Sequence, residues 1–104
     1  MTIEVLYFDG CPNHEPLAVR LHALLQALGI DSEVRCRRVE SDRAAVALGF
    51  PGSPTLRVGE RDVEPGAELR TDYGLKCRLY RTPTGVAGQP TDAWIRAAIA
   101  ASPG

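Results

Sequence analysis

Asp9-Gly10-Cys11-Pro12-Asn13-His14 is the stretch on which the reading of this chain turns. Before it, residues 2–8 form an apolar, β-branched and aromatic run, and a run of that kind closed by Asp-Gly reads as a buried strand and a turn. After it, Leu17, Leu21, Leu24, Leu25 and Leu28 recur at helical spacing, with Gly29 as a natural stop. Pro12 biases Cys11 toward extended backbone. Asn13 is a good N-cap residue and would put His14, Glu15 and Pro16 in the first turn, where a proline N–H is not needed. Cys11 is therefore expected, partly exposed, at a strand-to-helix turn. Unpaired N–H groups and the positive end of the helix dipole favour a thiolate over a thiol there. A cysteine so placed is a candidate nucleophile or soft-metal ligand, the alternative being an inert turn residue.

Working outward, residues 32–39 read as a second strand, and Arg35, Arg37 and Arg38 suggest an edge position with a wet face. Ser41-Asp42 opens a short helix through Leu48 that Gly49 ends. Residues 50–58 contain Gly52-Ser53-Pro54-Thr55-Leu56-Arg57-Val58, a strand with a proline immediately before it. Gly59-Glu60 is a turn and residues 61–64 its hairpin partner. Residues 65–74 read as a loop, long for a compact domain; residues 76–81 as a short strand; residues 82–89 as a turn-rich connector. Thr91 is a candidate N-cap for a last helix with Trp94, Ile95, Ala98 and Ile99 on its core face. Alternating strands and helices imply an α/β fold, a parallel or mixed sheet flanked by helices with right-handed crossovers. Ligands of such sheets sit beyond the carboxyl ends of strands, which is where Cys11 falls.

The 104 residues fit a single domain spanning 1–104, long enough to bury a core without staples. A net charge of −1 gives no long-range attraction to nucleic acid or anionic lipid, and no apolar run is long enough to span a bilayer, so neither partner is expected. The first residues lack the basic flank and apolar stretch of a secretory signal, so a cytoplasmic location is expected. Cytosol keeps thiols reduced. Three cysteines, Cys11, Cys36 and Cys77, also cannot pair completely, which favours reactive, metal-binding or buried roles over structural bridges. Cys36, inside the second strand, is expected to be a small core residue.

Cys11-Pro12-Asn13-His14 at the start of a helix, with Ser53-Pro54-Thr55 before a later strand, resembles a thioredoxin-like domain over nearly the whole chain. That resemblance implies a cis-proline at Pro54 beside the reactive sulfur. More narrowly, residues 8–14 together with Gly52-Ser53-Pro54-Thr55 and Cys77-Arg78-Leu79-Tyr80-Arg81 resemble a family of small bacterial thioredoxin-like proteins. Some of its members carry selenocysteine at the position of Cys11, and some are labelled alkylmercury lyase. The lyase label transfers poorly, because that reaction needs a thiolate pair and a proton donor, and only a neighbouring Cys77 would complete the pair. His14 stands where thioredoxin has its second motif cysteine, so no local Cys-x-x-Cys disulfide can form.

The expected function is thiol–disulfide exchange or peroxide reduction without a cofactor, acting on a small thiol, disulfide or peroxide or on a protein thiol. Cys11 would attack, His14 as imidazolium would stabilise its thiolate unless it is a first-turn residue that only contacts solvent, and Cys77 would resolve the intermediate unless it is merely a buried strand cysteine. Pro12, Ser53 and Pro54 would bind substrate, a cis turn exposing the backbone of Ser53 beside Cys11, and Tyr73 from the long loop would cover the thiol; Tyr73 and Tyr80 are otherwise packing residues. A second reading is a soft-metal protein holding Hg(II), Cu(I) or Zn(II) through Cys11, Cys77 and His14. A third is a thioredoxin-like interaction module without chemistry.

Overall fold

In a computed structural model that describes residues 1–102, the first apolar run becomes strand β1, Ile3–Tyr7. Helix α1, His14–Ala27, follows and buries Leu17, Leu21, Leu24 and Leu25. It ends as the glycine demands: Gly29 takes φ +70°, and the Ile30 N–H donates to the Leu25 carbonyl at 2.9 Å. Strand β2, Val34–Arg38, returns parallel to β1. Helix α2, Asp42–Leu48, is capped by the Ser41 hydroxyl, which accepts from the Ala44 N–H at 3.0 Å, and stopped by Gly49 at φ +62°. Strand β3, Thr55–Val58, runs antiparallel to β1, and strand β4, Arg61–Asp62, pairs with β3. Gly59 and Glu60 between them both have positive φ, 58° and 69°, as a two-residue hairpin turn that follows strand twist requires. Strands β5, Tyr80–Thr82, and β6, Gly85–Ala87, make a separate hairpin. Helix α3, Asp92–Ala101, closes the described chain, its first turn capped by the Thr91 hydroxyl accepting from the Trp94 N–H at 3.1 Å.

The main sheet has the order β2-β1-β3-β4 and is mixed. Because side chains alternate across a strand, Ile3, Val5, Leu56 and Val58 meet Leu17, Leu21 and Leu25 of α1 and Ile95 of α3 on one face. Leu6 points the other way and packs with Val39, Ala45 and Phe50 around α2. Helices thus cover both faces, as an α/β domain requires. Each fully buried leucine here is worth about 1.5–3 kcal/mol of transfer free energy.

Three expectations need correction. Cys36 is exposed, not core. Its strand has a neighbour on one side only, and the apolar layer ends at Val34, so the pattern that buries Val5 leaves its register partner Cys36 in solvent. Residues 82–89 are more than a connector, since they hold strand β6. Regular pairing in the preceding segment begins only at Tyr80, and Cys77 instead makes an isolated parallel bridge with Ser53. The loop at 65–74 includes one 3-10 turn, Ala67–Leu69.

Candidate functional site

The turn that carries Cys11 is closed by its own backbone, the Cys11 N–H donating to the Phe8 carbonyl at 3.2 Å. Gly10, at φ +91°, supplies a conformation that a side chain would resist. Cys11 itself is only 6% exposed, more enclosed than expected, although Gly10 and Pro12 on either side are exposed. Asn13 occupies the N-cap position of α1 but has helical backbone angles and no capping bond from its side chain. Its amide oxygen accepts instead from Gln89 Nε2 at 3.4 Å. The Asn13 side chain therefore caps none of the first-turn N–H groups of α1.

His14 is fixed by two contacts. Its ring stacks on Tyr7 with centroids 4.0 Å apart and an interplanar angle of 7°. Its Nδ1 lies 3.1 Å from the Cys11 carbonyl oxygen, which can only accept, so Nδ1 carries the proton. The imidazole thus grips the backbone of Cys11.

Ser53 links the two cysteine-bearing segments. Its hydroxyl accepts from the Phe8 N–H at 3.3 Å, tying it to the chain that leads into Cys11. On its other side the Ser53 N–H donates to the Lys76 carbonyl at 2.8 Å, and the Arg78 N–H donates to the Ser53 carbonyl at 2.9 Å. Cys77 sits between those two bonds and is exposed, so it is not a buried strand cysteine. The Ser53–Pro54 bond is cis, but Ser53, Pro54 and Thr55 are all buried, and the Ser53 backbone expected to lie open to a substrate is instead spent on the Cys77 segment. Thr55 Oγ1 donates to the Gly52 carbonyl at 2.7 Å, completing a turn with little freedom.

Behind Cys77 lies a buried ion cluster that no motif in the sequence announces. The side chain of Arg78 is fully buried and its guanidinium reaches three elements. Nη1 donates to Asp62 Oδ2 at 2.6 Å and to Thr55 Oγ1 at 3.0 Å; Nη2 donates to Asp62 Oδ1 at 2.9 Å and to Glu64 Oε1 at 2.9 Å. The guanidinium carbon also lies 4.2 Å from the centre of the Tyr80 ring, whose hydroxyl donates to the Pro54 carbonyl. Burial alone would lower the pKa of Arg78, but its bonds to Asp62 and Glu64 outweigh that and raise it. Burial pushes the Tyr80 hydroxyl well above the usual phenol range, so both groups keep their protons. One signal was present in the sequence: Arg78 and Tyr80 share the parity of an inward face, opposite Cys77, Leu79 and Arg81.

Tyr73 does not lie over the thiol. It rests against Gly49 and lines, with Arg57 and Trp94, a groove of about 820 Å³ whose walls include none of Cys11, Ser53 and Cys77. Its loop is held by Asp72, which takes Arg70 Nη2 at 2.7 Å and Lys76 Nζ at 2.9 Å. Pro12 is exposed next to Cys11. Among the described residues no group of three or more His, Cys, Asp or Glu side chains is arranged to hold a metal ion, so Cys11, His14 and Cys77 do not make a three-ligand set. No helix among them is long and apolar enough to cross a membrane. No protein-family model, curated protein or solved structure matches the chain.

Proposed function

We propose that this chain is a thioredoxin-like thiol–disulfide oxidoreductase of the small bacterial family that its motifs resemble, working in the reducing cytoplasm with Cys11 as attacking thiolate and Cys77 as resolving thiol. The observation that carries the reading is the double attachment of Ser53, bonded on one side to the Phe8 N–H ahead of Cys11 and on the other to the backbone flanking Cys77. One rigid turn thereby brings together segments far apart in sequence. His14 holds the Cys11 carbonyl so that the turn keeps its shape.

In the reaction, the Cys11 thiolate attacks one sulfur of a substrate disulfide, and the S–S electron pair leaves on the other sulfur as a thiolate. The Cys77 thiolate then attacks the Cys11 sulfur of the mixed disulfide and releases the second substrate thiolate. The substrate gains two electrons and the chain is left with a Cys11–Cys77 bridge, which an external dithiol must reduce before the next cycle. Exposed Pro12, next to Cys11, would meet the substrate.

Oxidation by stoichiometric glutathione disulfide followed by acid quenching and peptide mapping tests this. A Cys11–Cys77 bridge is expected with Cys36 free, and Cys36→Ser should give the same product. Closing a loop of that length should stabilise the oxidised form by about 4 kcal/mol in the chain-entropy model, raising its Tm. Glutathione attached at Cys11 with Cys77 still free would refute the resolving step.

A further inference from the structure

We infer that Arg78, clamped by Asp62 and Glu64, is a positioning residue that sets the register of the Cys77 segment and so presents the Cys77 thiol outward on the Ser53 turn; its role in turnover rests on the redox reading above. The contact between Ser53 and Cys77 is an isolated bridge with two backbone hydrogen bonds and no ladder around it. Such a contact specifies register weakly, and a slip of one residue would turn Cys77 inward and Arg78 outward.

The Arg78 guanidinium removes that freedom. Four hydrogen bonds to Thr55, Asp62 and Glu64 hold it in a planar fork, on residues of β3, β4 and the segment just after β4. Side chains alternate, so fixing Arg78 inward fixes Cys77 outward. Tyr80, two residues on and also buried, repeats the same parity through its bond to the Pro54 carbonyl. A buried ion cluster of this kind contributes little net stability over well-packed apolar residues, because desolvation offsets its attraction. What it supplies here is choice among registers that apolar residues would not distinguish.

The test compares wild type with Arg78→Met, Arg78→Lys and Asp62→Asn, all fully reduced and at a temperature where each is folded. Amide hydrogen exchange is read at Ser53 and Arg78, whose N–H groups make the bridge, and at Val5 and Leu56 in the β1–β3 pair. Losing these charge-assisted bonds should speed exchange at Ser53 and Arg78 at least about tenfold in Arg78→Met, leaving Val5 and Leu56 unchanged. Arg78→Lys, which keeps the charge, should recover part of the protection. The equilibrium with glutathione should show a matching fall in the effective concentration of Cys77 toward Cys11. A uniform rise at all four amides, or a lower Tm with unaltered Cys11–Cys77 closure, would mean that the cluster is only structural and would overturn the proposal. If Arg78→Met does not fold, Arg78→Lys and Asp62→Asn carry the same comparison. A wild-type chain that forms no bridge would sink the redox reading, while the exchange pattern still decides the register claim.

Discussion

Gly52→Ala is the sharpest perturbation that the structure offers, because it drives backbone into backbone. Gly52 has φ +132°, and a Cβ built there would lie 2.9 Å from Arg78 Cα, 2.9 Å from Arg78 Cβ and 3.1 Å from its amide nitrogen. None of those atoms is the yielding end of a long side chain. Two costs add: holding an alanine at that φ, about 1–3 kcal/mol, and relieving the overlap by backbone movement, about another 1–3 kcal/mol. A loss of roughly 2–6 kcal/mol is a large part of the ~5–15 kcal/mol that holds a domain together. In a domain of this size it should lower Tm by at least about 8 °C. The reference is Gly66→Ala, where φ is +81° but a Cβ would meet nothing within 4 Å, so only the conformational cost of about 1–2 kcal/mol applies. Urea and thermal melts followed by circular dichroism would rank the two. Equal destabilisation would refute the close approach of Gly52 to Arg78, and with it the account of why a glycine stands before Ser53.

Two further outcomes follow from individual contacts. Ser41→Ala and Thr91→Ala should each cost about 1 kcal/mol in denaturant melts, since their hydroxyls cap α2 and α3, whereas Asn13→Ala should cost clearly less because its side chain caps nothing. The hydrogen bond from Arg70, with help from Lys76, holds the Asp72 carboxyl well below its ordinary pKa. A depressed folded-state pKa means that the clasp stabilises the loop above the unfolded value near 3.9 and loses that contribution as pH falls further toward the folded value. Exchange at the Tyr73 and Gly74 amides should therefore quicken below about pH 4. Salt should blunt the effect, because the carboxylate is nearly half exposed, and Asp72→Asn should abolish it.

Local signals made much of the architecture legible. The leucine spacing of α1, the caps Ser41 and Thr91, and the glycine stops at 29 and 49 all act within one or two turns of the residue that bears them. The edge position of β2 was also readable, because its arginines occupy both parities and no buried strand can hide them. The exposure of Cys36 was not, because burial depends on what lies across the sheet and a strand pattern says nothing of where the helices end. Strand β6 was hidden by its length: three residues, one of them glycine, carry no periodicity. At the site, the turn holding Cys11 and the cis bond at Pro54 match the reading from motifs. The place of Tyr73 and the burial of Arg78 do not, since a tyrosine in a long loop has many resting places and an arginine enters a core only where carboxylates from elsewhere in the chain await it.

The two borders of the main sheet have a consequence for life in a crowded solution. One border is β2, with Arg35, Arg37 and Arg38 in solvent, and the other is β4, only two residues long. A second copy approaching β2 edge to edge would bring guanidinium against guanidinium, and one approaching β4 would find too few free amides for a stable ladder. The sheet is thereby closed to growth by repulsion at one end and by brevity at the other. A protein whose Cys11 and Cys77 segments hang on a single turn can then be abundant without its strands recruiting one another into fibres.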